Sequence, residues 1–256
     1  MLALRVGMVA LLAGTQPVLA QVQVSDTSPI DYVYPDQSVW TTRVNAGGEP
    51  ENPLLGLAAA IFARVGLAWR AKSYPAARMF EALKEGSGGF SILVEAPVLR
   101  QCCLSSQRPV AGTEVRLYRL DGTPPIAGRD DLSGKDVITI RGYSYGQFRN
   151  FIDDPAHHII DNIANSHEAA FLMLRNHRAA YLIDYVGPAV EVLADHPIEG
   201  LRFQVLERLG VHLVLSKTYP DAERVMARLE AAAAAILADP KAAGVSLPTV
   251  GGEVSR

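Results

Sequence analysis

Between Leu54 and Gly66, apolar side chains recur at Leu54, Leu55, Ala58, Ile61, Phe62 and Val65, the three-and-four spacing of one helix face. Asn52-Pro53 ahead of the run supplies a capping side chain and a proline at the first helical position, and Gly66 supplies the stop. The period then drops to two in LAWRAK, which puts Leu67, Trp69 and Ala71 on one side of a strand. Tyr74-Pro75 restarts a helix whose Met79, Phe80 and Leu83 form an apolar stripe and which ends at Gly86. IDYVYP before this pair, and FSILV and EVRLYRL after it, read as strands. Strands alternating with helices predict a layered, mostly parallel α/β unit.

Asp121-Gly122-Thr123-Pro124-Pro125 interrupts the pattern with turn formers, the composition of a crossing between two units. A second alternating series follows. DVITI is a strand, GYSYG a turn and QFRNFI the start of a helix; HEAAFLMLRNHR is a helix behind Ser166 as its cap, and AAYLIDYV is a strand. RFQVLE and VHLVLS are two further strands, and PDAERVMARLEAAAAAIL is a closing helix with acids in its first turn, where they complement the helix dipole. No repeat of 20 to 50 residues runs through the chain, and the alanines from Ala231 to Ala235 are strong helix formers.

The first 20 residues follow another logic. Arg5 precedes an apolar run from Val6 to Ala13, and Val18-Leu19-Ala20 offers the small residues that a signal peptidase reads. A secretory signal peptide over 1–20 is expected, with the mature chain in a periplasm. The formal net charge is −3, and Lys and Arg are scattered, so no footprint for nucleic acid is present. The two cysteines, Cys102 and Cys103, are adjacent and cannot staple distant segments. They read either as partly buried thiols or as a strained vicinal disulfide.

Taken in order, these segments resemble the extracytoplasmic solute-binding proteins of ABC importers, the family that includes polar amino-acid binders. GLAAAIFARVGLAWRAKSYPAARMFEALKEG is similar to the family's N-terminal helix, strand and helix; LSGKDVITIRGYSYGQF to its opening of the second lobe; LRNHRAAYLIDY and GVHLVLSK to the stretches that close that lobe and return to the first. The resemblance implies a periplasmic binding protein-like fold of type II, two α/β lobes joined by two crossover strands with a ligand cleft between them. Lobe 1 would take 25–118 and 212–250, and lobe 2, inserted, 119–211. It also implies a small-molecule ligand, an inner-membrane ABC permease as partner, a monomer and no cofactor.

Candidate site residues follow from the residues and the resemblance together. GYSYG has the letters of a nucleophile elbow around Ser144, and Asp184 with His196 or His212 could complete the order Ser, Asp, His; no HGGG-like segment precedes it. The other reading of the same turn is a set of amides at a helix start that, with the Ser144 hydroxyl, faces a ligand oxygen. A plain helix cap is the third. Arg100 falls on the family's carboxylate-binding arginine, although Pro97 stands where the family carries threonine and GGFSI departs from its usual G..D.i. Asp184 in YLIDY matches the aspartate that receives a ligand ammonium, and the alternative is a structural ion pair.

Trp40, Tyr74, Tyr143, Tyr145 and Tyr185 are expected at the cleft as walls for flat or cationic groups, whereas Tyr32 and Tyr34 share a strand face and are expected in a core. Asp153, Asp154, His157, His158 and Asp161 have partial metal-ligand spacing, but Pro155 makes the stretch a helix start, so no metal site is expected. The functional expectation is a solute-binding protein with no catalytic residue, closing on a polar, amino-acid-like ligand. Its rivals are a non-transport accessory or sensor protein on the same fold, and a dehydratase-like enzyme in the cleft.

Overall fold

A computed structural model describes residues 29–48, 51–94, 96–146 and 148–248; the expected signal peptide lies outside them. The first series forms β1 (Ile30–Pro35), α1 (Leu55–Val65), β2 (Trp69–Tyr74), α2 (Ala76–Glu85) and β3 (Phe90–Val94), as the periodicity predicts. Gly66 and Gly86 close the two helices at φ of 67° and 80°, a left-handed conformation that costs a residue without a Cβ little. The cap expected from Asn52 falls short of the helix: its side-chain oxygen accepts the Leu54 amide at 2.9 Å, and Leu54 takes the cap position without a side-chain bond. A short strand unmarked in the sequence, β4 (Cys103–Ser105), precedes β5 (Ala111–Leu120).

The second series is β6 (Asp136–Ile140), α3 (Phe148–Asp153), β7 (Ile160–Ala164), α4 (His167–Arg175), β8 (Tyr181–Tyr185) and α5 (Val186–Asp195). Three details depart from the sequence reading. After Pro155 the chain makes only a single tight turn, capped by the Asp154 carboxylate on the Ala156 amide, and then enters β7. Helix α5 was hidden by Gly187-Pro188, which look like breakers; they sit in its first turn, where a missing amide proton is harmless. RFQVLE and VHLVLS are one 16-residue strand, β9 (Leu201–Ser216), followed by α6 (Ala222–Ala238).

The strands run in the order β2-β1-β3-β9-β5-β8-β6-β7, with β4 also on β9. β9 pairs antiparallel with β5 from Leu201 to Val211 and with β3 from Val211 to Leu215. The two long strands therefore pass from one core to another. One large core, between Val115 and Val192, centres on Leu117, Ile138, Phe171 and Leu182; the other draws on residues up to Val110 and beyond Val211, centred on Tyr32, Leu57, Phe62, Phe90 and Leu213. Each such side chain gains about 1.5–3 kcal/mol from burial. A smaller cluster of Met79, Leu83, Leu93, Leu99 and Cys103 sits on the other face of β1 and β3.

Candidate functional site

The GYSYG turn lies at the carboxyl end of β6, where ligands of open α/β sheets are met. Its backbone is unusual at Tyr145, not at Ser144. Gly142, Tyr145 and Gly146 all have positive φ, of 83°, 48° and 65°. For a tyrosine that conformation is unfavourable by about 1–2 kcal/mol, and burial compensates. The Tyr145 ring stacks on Tyr185 at 5.4 Å, and its hydroxyl accepts the Ile140 amide at 2.7 Å. Tyr143 completes the trio, 5.2 Å from Tyr185. The two tyrosines flanking the serine thus pack with Tyr185 in one aromatic cluster, Tyr145 stacked on it, Tyr143 edge-on to it and tilted against Tyr145.

Behind Tyr143 is a buried polar chain. His167, the first residue of α4, lies 2.9 Å from the Tyr143 hydroxyl through Nε2 and 2.8 Å from Asp184 through Nδ1. Asp184 is fully buried at the end of β8 and also accepts the Tyr185 amide at 2.7 Å. Tyr143 donates its only hydroxyl proton to the Ser38 carbonyl at 3.1 Å. Burial, and secondarily the Asp184 charge, push the Tyr143 and Tyr145 hydroxyls well above the usual phenol range, so both keep their protons.

Ser38 belongs to a segment that leaves β1 and reaches across to the second core. The Glu191 carboxylate of α5 accepts the Thr41 hydroxyl at 2.8 Å, the Thr42 amide at 2.6 Å and the Thr42 hydroxyl at 2.9 Å. Trp40 passes over Gly187 so closely that a Cβ there would lie 2.4 Å from the Trp40 carbonyl oxygen. The indole donates to the Gly112 carbonyl on β5 at 3.3 Å. This strap, 36–44, joins the two cores beside the β5 and β9 crossing.

Between strap, α2 and the GYSYG turn lies a cleft with walls from both cores, Trp40, Ile92 and Val94 from one and Tyr143 and Ser144 from the other, together with Met79, Phe80 and Leu93 of the smaller cluster. Glu51 and Asn52 stand at its margin. Its volume is about 60 Å³, room for a few waters and far below the ~300–1,000 Å³ of sites for drug-sized ligands. The walls are in near contact, a Cβ on Gly142 lying 3.4 Å from Ala76.

Of the residues expected at the site, Trp40, Tyr143, Ser144 and Tyr185 line this cleft, and Arg100, Asp184, Tyr74 and Tyr145 do not. Asp184 is enclosed and hydrogen-bonded to His167. Tyr145 is turned inward by its positive φ and wholly buried. Tyr74 ends β2, the outermost strand, with the Lys72 ammonium 5.0 Å from its ring centre. Arg100 is exposed at the end of the tight turn Pro97–Leu99 that leads to β4. Pro97 starts that turn. Tyr34, expected in the core, is buried and also forms part of the cleft wall. His167 was missed, although its place directly after a strand, at a helix start, marks a cleft-side position in this kind of sheet. The hydrolase arrangement is not assembled: His212 Nδ1 lies 2.8 Å from the Ser106 carbonyl, His196 Nε2 lies 3.5 Å from Glu168, and Asp184 engages His167 instead.

No family model and no curated protein matches the chain. Solved structures do. A histidine kinase sensor domain with similarity to periplasmic binding proteins is 15% identical, with a TM-score of 0.69 over 85% of this chain and 93% of that one. An ancestral arginine-binding protein bound to arginine is 14% identical, with a TM-score of 0.65 over 84% and 96%. The GluR0 ligand-binding core from Nostoc punctiforme, in complex with L-glutamate, is 14% identical, with a TM-score of 0.64 over 85% and 97%. With its order of strands and its two cores joined through β5 and β9, the chain has the mixed α/β fold of the type II periplasmic binding proteins.

Proposed function

We propose that this chain is an extracytoplasmic ligand-binding protein whose two cores act as lobes that close on a small solute. The observation that carries the reading is the cleft, walled from both cores mainly by aromatic and aliphatic side chains, with Ser38, Ser144, Glu51 and Asn52 as its polar groups. Trp40, Phe80 and Tyr143 suit a flat or apolar body, and aromatic faces also attract amines. Ser144 and Asn52 would meet a ligand oxygen. Glu51, not the enclosed Asp184, would meet an ammonium group. An amine or amino-acid-like solute with a flat or apolar body fits these walls best, and a wider opening of the lobes would admit it. Arginine and L-glutamate in the similar structures are ligands of this general class.

Residues 1–20, as a signal peptide, would deliver the chain to the periplasm, and an inner-membrane ABC permease would receive the ligand. Ligand sensing is a second reading. The strap favours it, because three hydrogen bonds to Glu191 resist the wide opening by which a carrier releases cargo. A sensor domain is among the similar structures.

Titration calorimetry against amino acids and aromatic or aliphatic amines tests the site. At least one amine should bind, and at 100 times its Kd it should stabilise the protein by about 2.7 kcal/mol. Trp40→Ala and Glu51→Gln should each weaken that binding more than about tenfold, roughly 1.4 kcal/mol. A panel without a binder, or unchanged affinity in both variants, overturns the proposal.

A further inference from the structure

Cys102 and Cys103 lie away from the cleft, where the chain leaves the Pro97–Leu99 turn and enters β4. Their sulfurs are 2.9 Å apart. Cys102 is partly exposed and Cys103 is buried, its thiol facing the Leu83 carbonyl at 3.9 Å. Burial, with the neighbouring Cys102 second, pushes the Cys103 thiol up to about 12, while the nearby Lys217 charge acts in the opposite sense. Lys217 is fixed there: its ammonium donates to the carbonyls of Arg100 and Gln101 at 3.2 and 2.9 Å, and its amide donates to the Cys102 carbonyl at 2.9 Å. Cys102 is thus the more accessible thiol, and Cys103 is held against it and shielded. That asymmetry is what a two-step exchange requires, an attacking thiol and a resolving one.

We propose that Cys102–Cys103 is a redox-modification site, a dithiol that takes a disulfide compound as oxidant and closes reversibly to a vicinal disulfide. The Cys102 thiolate attacks one sulfur of the oxidant, forming a mixed disulfide and expelling one thiolate. Cys103 gives up its proton and attacks the Cys102 sulfur, which expels the second thiolate. The protein loses two electrons and two protons, and the oxidant becomes two thiols. Adjacent residues hold their Cα atoms about 3.8 Å apart, shorter than the ~4.4–6.8 Å of ordinary disulfides, so the closed ring is strained. The ring is correspondingly easy to reduce, which suits a reversible site and not a structural staple.

The test uses the full chain, reduced, then incubated with oxidised glutathione in the presence of a chelator, denatured, and alkylated with N-ethylmaleimide before intact-mass measurement. The wild type should lose the mass of two hydrogen atoms and take no label, and dithiothreitol should restore two labels. Cys103→Ser should stop at a glutathione adduct on Cys102. Cys102→Ser should acquire no adduct while folded. Two labels on the oxidant-treated wild type, a persistent glutathione adduct on it, or a disulfide-linked dimer would each overturn the proposal, as would Cys102→Ser taking glutathione as fast as Cys103→Ser.

Discussion

Asp184 shows how a residue's surroundings decide its work. In YLIDY it is an acid at the end of an apolar strand, and the sequence leaves two outcomes open, a ligand's ammonium or an ion pair. The outcome turns on His167, seventeen positions earlier, whose ring reaches the carboxylate from α4. No local pattern announces that contact, because it depends on how α4 and β8 pack. Asp184→Ala would leave His167 buried against an apolar void, with the Tyr185 amide also deprived of its acceptor. Removing one partner of such a pair costs about 3–5 kcal/mol. Urea unfolding should show a lower midpoint with an unchanged slope. If stability holds and only ligand affinity falls, the carboxylate serves the cleft after all. Trp40 and Tyr143 were legible at this scale because a loop or turn directly after a strand end points toward the cleft in a sheet of this kind.

At the scale of elements, period and punctuation located most helices and strands, since α1, α2 and α4 each carry an apolar stripe and a cap or stop. They failed where the local signal was polar or disguised: β7 contains Asp161 and Asn162, poor strand formers, and α5 begins with Gly187-Pro188. They were silent about the strap, whose order comes from contacts with α5 and not from any periodicity. Gly187 is where the strap is vulnerable, because a methyl group there would occupy the Trp40 backbone. The chain has two tryptophans, so a Trp69→Phe background makes Trp40 the only indole reporter. In that background Gly187→Ala should shift the emission to the red as Trp40 leaves Gly112 for solvent. Glu191→Ala should do the same and lower stability by about 1–3 kcal/mol, the range for losing charge-assisted bonds near solvent. Unchanged emission in both variants would mean that the strap is held by other contacts.

Across the whole molecule, buried tyrosines link both large cores to pH. Tyr32 is enclosed in one, and Tyr118, Tyr143, Tyr145 and Tyr185 in the other. Burial raises all of these phenols above their ordinary value, and for Tyr118, Tyr143, Tyr145 and Tyr185 the Asp184 charge adds to it. A raised folded value means that the native chain keeps protons which the unfolded chain releases. The contribution is fully present below the unfolded tyrosine value of about 10 and is lost as pH rises above it, at about 1.4 kcal/mol per pH unit for each tyrosine. With several acting together, a chain of ordinary stability, about 5–15 kcal/mol, should unfold within roughly two units of that point. Tyrosinate absorbance followed against pH should show the exposed phenols titrating smoothly and the buried ones appearing in one steep step, coincident with loss of near-ultraviolet circular dichroism. Gradual ionisation of all nine tyrosines with the dichroism intact would contradict the enclosure of the two cores. Because Tyr143 and Tyr145 flank Ser144, the same step should abolish ligand binding, and a binder from the calorimetric panel should move it to higher pH.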